Sequence, residues 1–332
     1  MKTASQLDHI LVVTFAKGFW ATPDCQIFPQ ILYGRRYVKK MSSLLNMALL
    51  ALQTYWRIWQ DRPTILFIGA AYGLAPWFLS LKKYHLLPAR LKIICHNYSI
   101  FHDARVRYAD LVIDHDSSTL TLRSPETRRK SVVIPLPAPG NLVAARTSAL
   151  PAALQSVQSP YIFSGGGEGR DFPTLIEAAR SLPISLMIIT FSRRTLNYDQ
   201  PLPDNCHVFW TMSQTDFLAA MHHALFVIVP LTAGVHPHGQ TTVVQALALG
   251  KAVITTDQAS VNDYVQHDQQ GLLVPAGDVA ALRAAIQELN TNPGRREQYE
   301  RVAREQAERY TYAAFGQQLT NACRNVITQP EP

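Results

Sequence analysis

Short, continuous apolar runs rich in Val, Ile and Leu recur along this chain, separated by longer stretches with helical spacing. Residues 9–15, 64–69, 91–95, 111–114 and 132–135 read as strands of a first half. Unbroken apolar runs of this length are expected of strands covered on both faces. Residues 38–60 and 74–83 carry helical periodicity, Pro63 ends the first of these helices, and a short helix fits 103–109. The pattern restarts after residue 160, with strands at 161–164, 184–190, 207–210, 226–230, 253–255 and 271–274. Helices at 173–182, 215–223, 241–249 and 279–290 alternate with them, and helices at 295–309 and 312–327 close the chain. Strand–helix alternation in both halves predicts an α/β protein with two open parallel sheets covered by helices. Residues 135–160 are rich in Pro, Ala and Ser and lack a clean period, so 146–160 is predicted to be an interdomain linker. The predicted division is an N-terminal domain over 1–145, a C-terminal domain over 161–311 and a final helix over 312–332.

Composition agrees with two ordinary globular domains: 332 residues, 47% hydrophobic and 17% charged. Four scattered cysteines (Cys25, Cys95, Cys206, Cys323) have no metal-ligand spacing, which argues for a reducing compartment and against a disulfide framework. No run reaches the ~18 apolar residues of a spanning helix, and the first apolar run reads as a strand rather than a signal peptide. A cytoplasmic protein is expected. The net charge of +7 fits anionic substrates, nucleic acid or an anionic membrane. Nucleic acid is not expected as a partner, because no RNA-binding motif or basic-aromatic sheet pattern accompanies the charge. Residues 35–60 are double-valued. Their Met and Leu content suits a core helix, whereas Arg35, Arg36, Lys39 and Lys40 with Tyr37, Trp56 and Trp59 suit an anchor on an anionic membrane surface, placing the protein on its inner face.

Candidate chemistry gathers where strands meet helices. The stretch 225–256, LFVIVPLTAGVHPHGQTTVVQALALGKAVITT, reads as strand, loop, helix and strand. Its loop places the backbone N–H groups of a helix start, at Thr241 and Thr242, beside the end of a sheet, which suits a phosphate; the two threonines also serve as simple N-caps. Gln245 lies one turn further in, and the vicinal hydroxyls of a ribose would satisfy both its donor and its acceptor. His236 and His238 flank Pro237 with no third metal ligand at a usable spacing, so hydrogen bonding to a polar substrate or an ordinary loop role is expected, and no metal. The loop 165–171 contains Gly165, Gly166 and Arg170 and is either a tight turn or an oxyanion loop. Arg193 and Arg194 end the next strand and would lie along the same sheet edge. His96 ends a strand of the first half, in a structural or a ligand-facing role.

These segments resemble a known family. The glycine-rich loop with Arg170-Asp171, the run Gln245-Ala246-Leu247-Ala248-Leu249-Gly250-Lys251-Ala252-Val253-Ile254 and the ending over 263–286 look like the retaining GT-B glycosyltransferases of the large group 4 class. The resemblance covers about 160–325 and is weak before it. It implies two Rossmann-like parallel-sheet domains facing each other across a cleft, the first binding the acceptor and the second a nucleotide-diphosphate sugar, with the last helix crossing back to the first. It implies sugar transfer to a hydroxyl of a glycan or lipid-linked acceptor, with the nucleotide sugar as co-substrate and no cofactor. By resemblance Arg170, Gly165, Gly166, Arg193, Thr241 and Thr242 take the donor diphosphate, Gln245 the ribose, and His236, His238, Gly239 and Gln240 the sugar. His96 joins Arg170 in catalysis, and Lys17 and Gly18 sit on the acceptor side. Three departures are visible: Gln245 replaces the second glutamate of the family's Glu-x7-Glu motif, Pro237 falls where the first would be, and Lys17-Gly18 stands where the family has a double glycine after the first strand.

Overall fold

A computed structural model describes residues 10–14, 30–33, 43–69, 73–96, 104–138, 140–234 and 237–328. The chain forms two compact units, one of residues 1–135 and 312–332 and the other of Leu136–Thr311.

The first unit is built on six parallel strands: β1 (Ile10–Thr14), β2 (Gln30–Tyr33), β3 (Ile65–Gly69), β4 (Lys92–His96), β5 (Leu111–Asp114) and β6 (Ser131–Val133). Their order is β2-β1-β3-β4-β5-β6. Leu11, Val13, Leu66, Ile68, Ile93 and Cys95 point to one face, where Leu50, Ala51 and Ile58 of helix Ser43–Asp61 and Phe78 and Leu79 of helix Ala75–Lys83 cover them. Their neighbours Ile10, Val12, Ile65, Phe67, Ile94 and Ile113 point to the other face, against Phe315, Leu319 and Cys323 of helix Tyr312–Thr328. Both faces are therefore buried, which is why the strands read as unbroken apolar runs.

The second unit repeats the plan with β7 (Tyr161–Gly165), β8 (Ser185–Thr190), β9 (Cys206–Trp210), β10 (Val227–Val229), β11 (Val253–Thr256) and β12 (Gly271–Val274), all parallel. The order β12-β11-β10-β7-β8-β9 is that of a dinucleotide-binding doubly wound sheet, with its switch point between β7 and β10. Tyr161, Phe163, Met187, Ile189, Val227 and Val229 pack toward helices Gln214–His223 and Gln240–Ala248. Ile162, Leu186, Ile188 and Ile228 pack toward helices Phe172–Ala179 and Val279–Thr291.

The predicted linker differs from what is observed. Residues 146–160 belong to the second unit, and the chain passes into it at Leu136. Ala145, Leu154 and Val157 are buried in its core, and Arg146 donates to the Ala248 carbonyl at 2.6 Å. Helix Leu142–Thr147, capped by Asn141, supplies the helical face that the Pro- and Ala-rich composition conceals. Strand β2 was not predicted, and residues 35–40 lie outside the described residues.

Candidate donor site

A cavity of about 470 Å³ opens in the second unit at the carboxyl ends of β7 and β8, beside the start of helix Gln240–Ala248. In open α/β sheets this edge, near the switch point, is where ligands bind.

The loop after β7 is held on both sides. Gly166 N–H donates to the Ile189 carbonyl at 3.1 Å and the Thr190 hydroxyl to the Gly166 carbonyl at 2.8 Å. Asp171 N–H reaches the Pro230 carbonyl at 3.0 Å, and Thr232 N–H the Gly169 carbonyl at 3.0 Å. Asp171 then caps helix Phe172–Ala179 by accepting from Thr174 N–H at 3.1 Å. Gly166 has φ +117°, and a Cβ there would lie 2.6 Å from an Arg170 guanidinium nitrogen. Its missing side chain lets the guanidinium lie flat on the loop.

Arg170 is the main electrostatic feature. It is buried, and its partners among the described residues are uncharged oxygens: the Gly165 carbonyl at 3.0 Å, the Glu168 carbonyl at 3.3 Å and the Thr242 hydroxyl at 2.8 Å. Burial pushes its pKa down to about 10, so it keeps its positive charge at neutral pH. A buried cation without a carboxylate is costly unless an anion completes it. Helix Gln240–Ala248 adds to the same field. It begins at Gly239, φ +86°, with no side-chain cap, so its first turn presents positive partial charge to the cavity.

The structure gathers most of the expected site residues. Gly166, Arg170, Pro237, His238, Gly239, Gln240, Thr241, Thr242 and Gln245 all line the cavity. Thr241 and Thr242 are helical residues rather than caps, because Gly239 holds the N-cap position. Thr241 is exposed, whereas Thr242 is buried and bonded to Arg170. Gln240 spends its amide on the Ser260 carbonyl at 3.1 Å. His238 packs over Gly169, whose φ is +69°. Gly165 does not line the cavity; it contributes its carbonyl to Arg170 instead. Arg193 is not brought to the site. With Arg194 it sits exposed on the short helix Arg193–Leu196, which Ser192 caps and turns away from the lining. His236, Lys17 and Gly18 lie outside the described residues. His96 belongs to the first unit, buried against Phe67, His115 and Phe315. Among the described residues no group of three or more His, Cys, Asp or Glu is placed to hold a metal ion.

Residues that sequence reasoning missed form the opposite wall: Phe191, Thr211, Met212, Gln214 and Phe217. Phe191 follows β8 directly and is exposed, with its ring against Gly167. The available signal was positional, an exposed aromatic just past a strand's carboxyl end.

Residues 190–306 match the family model of glycosyl transferases group 1. A stretch of 85 residues is 33% identical to a phosphatidyl-myo-inositol mannosyltransferase from Mycobacterium leprae, covering 26% of this chain and 23% of that protein's length. Among solved structures, Anabaena HepE in complex with UDP-glucose is similar with a TM-score of 0.69 at 15% identity, over 95% of this chain and 99% of that one. Sucrose-phosphate synthase from Thermosynechococcus elongatus is similar with a TM-score of 0.67 at 17% identity, over 96% and 89%. The likeness over 190–306 is thus to a glycosyl transferases group 1 domain, and the chain as a whole shares the two-unit parallel-sheet fold of these structures.

Proposed function

We propose that this chain transfers a sugar from a nucleoside-diphosphate sugar to a hydroxyl of a lipid-linked or polysaccharide acceptor, with retention and without a metal. The single observation that carries the reading is the buried, carboxylate-free guanidinium of Arg170 beside an uncapped helix start. Together they neutralise charge that develops on a departing diphosphate, the preorganised kind of stabilisation that dominates such reactions. Gln245 takes the ribose hydroxyls, and Thr241, Thr242 and Gly166 line the phosphate path. Pro237, His238, Gly239 and Gln240 border the sugar. The bond from the anomeric carbon to the phosphate oxygen breaks, and a bond to the acceptor oxygen forms on the same face. The acceptor's proton passes to the departing phosphate. A nucleoside-diphosphate sugar is supported by the group 1 match and by a fold neighbour that binds UDP-glucose. A lipid-linked acceptor, with the protein peripheral on a membrane, is supported by the likeness to a phosphatidyl-myo-inositol mannosyltransferase and by the exposed aromatics of helix Ser43–Asp61.

Thermal-shift and donor-hydrolysis screens with UDP-, GDP- and ADP-sugars test this reading. Stabilisation by one of them, followed by slow hydrolysis, is expected; no response to any of them overturns it. A second reading is a catalytically silent nucleotide-binding or partner subunit. It is favoured by the neutral Gln245 and by Pro237 on the cavity wall, where the resemblance places carboxylates. Nucleotide binding without turnover, unchanged in affinity by Gln245→Glu, would select it.

A further inference from the structure

The wall of the donor cavity carries one charge of each sign. Among the described residues that line it, Arg170 is the one fixed cation and Glu168 the one carboxylate. They stand two residues apart and do not pair. Arg170 donates to the Glu168 carbonyl at 3.3 Å, and its remaining bonds go to the Gly165 carbonyl and the Thr242 hydroxyl. Glu168 is exposed, and among the described residues its carboxylate has no ion pair or hydrogen bond. The cavity therefore keeps an acceptor that the protein itself does not use.

The loop fixes where that acceptor stands. Its backbone is held on both sides of Glu168, by Gly166 N–H on the Ile189 carbonyl at 3.1 Å and by Thr232 N–H on the Gly169 carbonyl at 3.0 Å. Glycines flank it, and a side chain at either would displace a ring of the cavity wall. A Cβ at Gly167 would lie 2.6 Å from the Phe191 ring, and one at Gly169, where φ is +69°, 2.5 Å from the His238 ring. Phe191 and His238 both line the cavity. Position 168 is thus the place between these two rings where the loop carries a side chain, and that side chain is a carboxylate. On the His238 side it meets a stretch poor in acceptors. Pro237 and Gly239 have no polar side-chain atom, and Gln240 donates its amide to the Ser260 carbonyl at 3.1 Å.

We propose that Glu168 holds the transferred sugar of the donor, its carboxylate accepting hydrogen bonds from two sugar hydroxyls. A carboxylate that shares a cavity with a diphosphate is unfavourable by itself, because like charges repel. It becomes favourable when neutral hydroxyls donate to it, since hydrogen bonds to an ionised acceptor are about twice as strong as neutral ones. A sugar presents hydroxyls in vicinal pairs, which match the two oxygens of one carboxylate. The opposite charges then divide the donor between them, Arg170 taking the phosphates and Glu168 the sugar. A divalent ion bridging the carboxylate to the phosphates would use the same side chain, and the test separates it. The inference rests on the nucleotide-sugar reading above and adds to it the residue that recognises the sugar.

Titration calorimetry on the full chain in EDTA tests it. UDP, GDP and ADP are titrated first, then the glucose, galactose, mannose and N-acetylglucosamine esters of the one that binds best. The preferred sugar nucleotide is expected to bind more tightly than the nucleoside diphosphate alone. Glu168→Gln should weaken that sugar nucleotide about tenfold or more and leave the nucleoside diphosphate within about twofold. Glu168→Asp should recover part of the loss, and because Glu168 is exposed both variants should melt with the unsubstituted chain. An unchanged ratio of the two affinities in Glu168→Gln overturns the inference. So does a loss that appears only with added magnesium and falls equally on nucleotide and sugar nucleotide, which would assign Glu168 to a metal ion. If none of the nucleotides binds, the function proposed above fails and this assignment falls with it.

Discussion

At the scale of single residues the site turns on Arg170. Its guanidinium is fixed by three oxygens on the loop and the helix start, so a diphosphate in the cavity would meet it without reorganisation. Arg170→Met is expected to weaken nucleotide binding about 100-fold, or ~3 kcal/mol, the scale of losing charge-assisted hydrogen bonds to an anion. Arg170→Lys should recover only part of it, because one ammonium does not reproduce a fork bonded to both loop and helix. Titration calorimetry with nucleoside diphosphates measures both; equal affinity for all three proteins would remove Arg170 from the site. Arg170 was legible in the sequence because a charge inside a glycine loop after a strand has few structural uses. Arg193 carried the same charge and was misplaced, since Ser192 starts a short helix that turns it to solvent. Met212 and Phe217 left no signal of that kind: the apolar wall of a cavity and the wall of a core use the same residue types.

At the scale of elements, the strands were legible wherever both faces are covered. β3, β4, β7 and β8 are unbroken apolar runs for that reason, while the four-residue β2 and the helix Leu142–Thr147 are too short for a period to show. What no pattern revealed is that the ends of β4 and β5 meet. His96 closes β4, and His115 directly follows β5; their rings meet edge to face at 4.7 Å, with Phe315 of helix Tyr312–Thr328 packed on both. The His115 Nδ1–H donates to the Ile134 carbonyl at 2.9 Å, which fixes the neutral tautomer. Burial pushes His115 down to about 4, and burial together with His115 pushes His96 well below its usual value. Both groups take up protons more readily when unfolded. Their contribution to stability is therefore full above about pH 6.5 and is lost as pH falls toward 4. For His115 alone the loss reaches about 3 kcal/mol by the time its folded form titrates. Thermal melting between pH 8 and 4 should show a falling midpoint, and His115→Gln should flatten the fall at its cost in stability near neutrality. Asp114, next to His115 and bonded to Arg123 at 2.6 Å, has its carboxyl raised above the usual value by burial, so it binds its proton more readily when folded and offsets part of the fall at the acid end.

At the scale of the whole chain, two doubly wound sheets each have their own two-faced core, and a single two-state transition is not expected of such a molecule. A ligand that binds one unit raises the stability of that unit by mass action, about 2.7 kcal/mol at 100 times its dissociation constant. Tryptophan placement makes this separable. Trp20, Trp56, Trp59 and Trp77 lie in the first unit's sequence, and Trp210 is the second unit's sole tryptophan. Trp210 ends β9, is half exposed, and precedes Thr211 on the cavity wall. A protein with the other four tryptophans changed to phenylalanine would report unfolding of the second unit alone. Nucleoside diphosphate should move that urea transition to higher denaturant in proportion to the logarithm of ligand concentration, and the binding signal itself should vanish in Trp210→Phe. A Trp210 transition indifferent to saturating nucleotide would mean that the cavity beside β7 and β8 does not hold the donor, whatever the rest of the chain does.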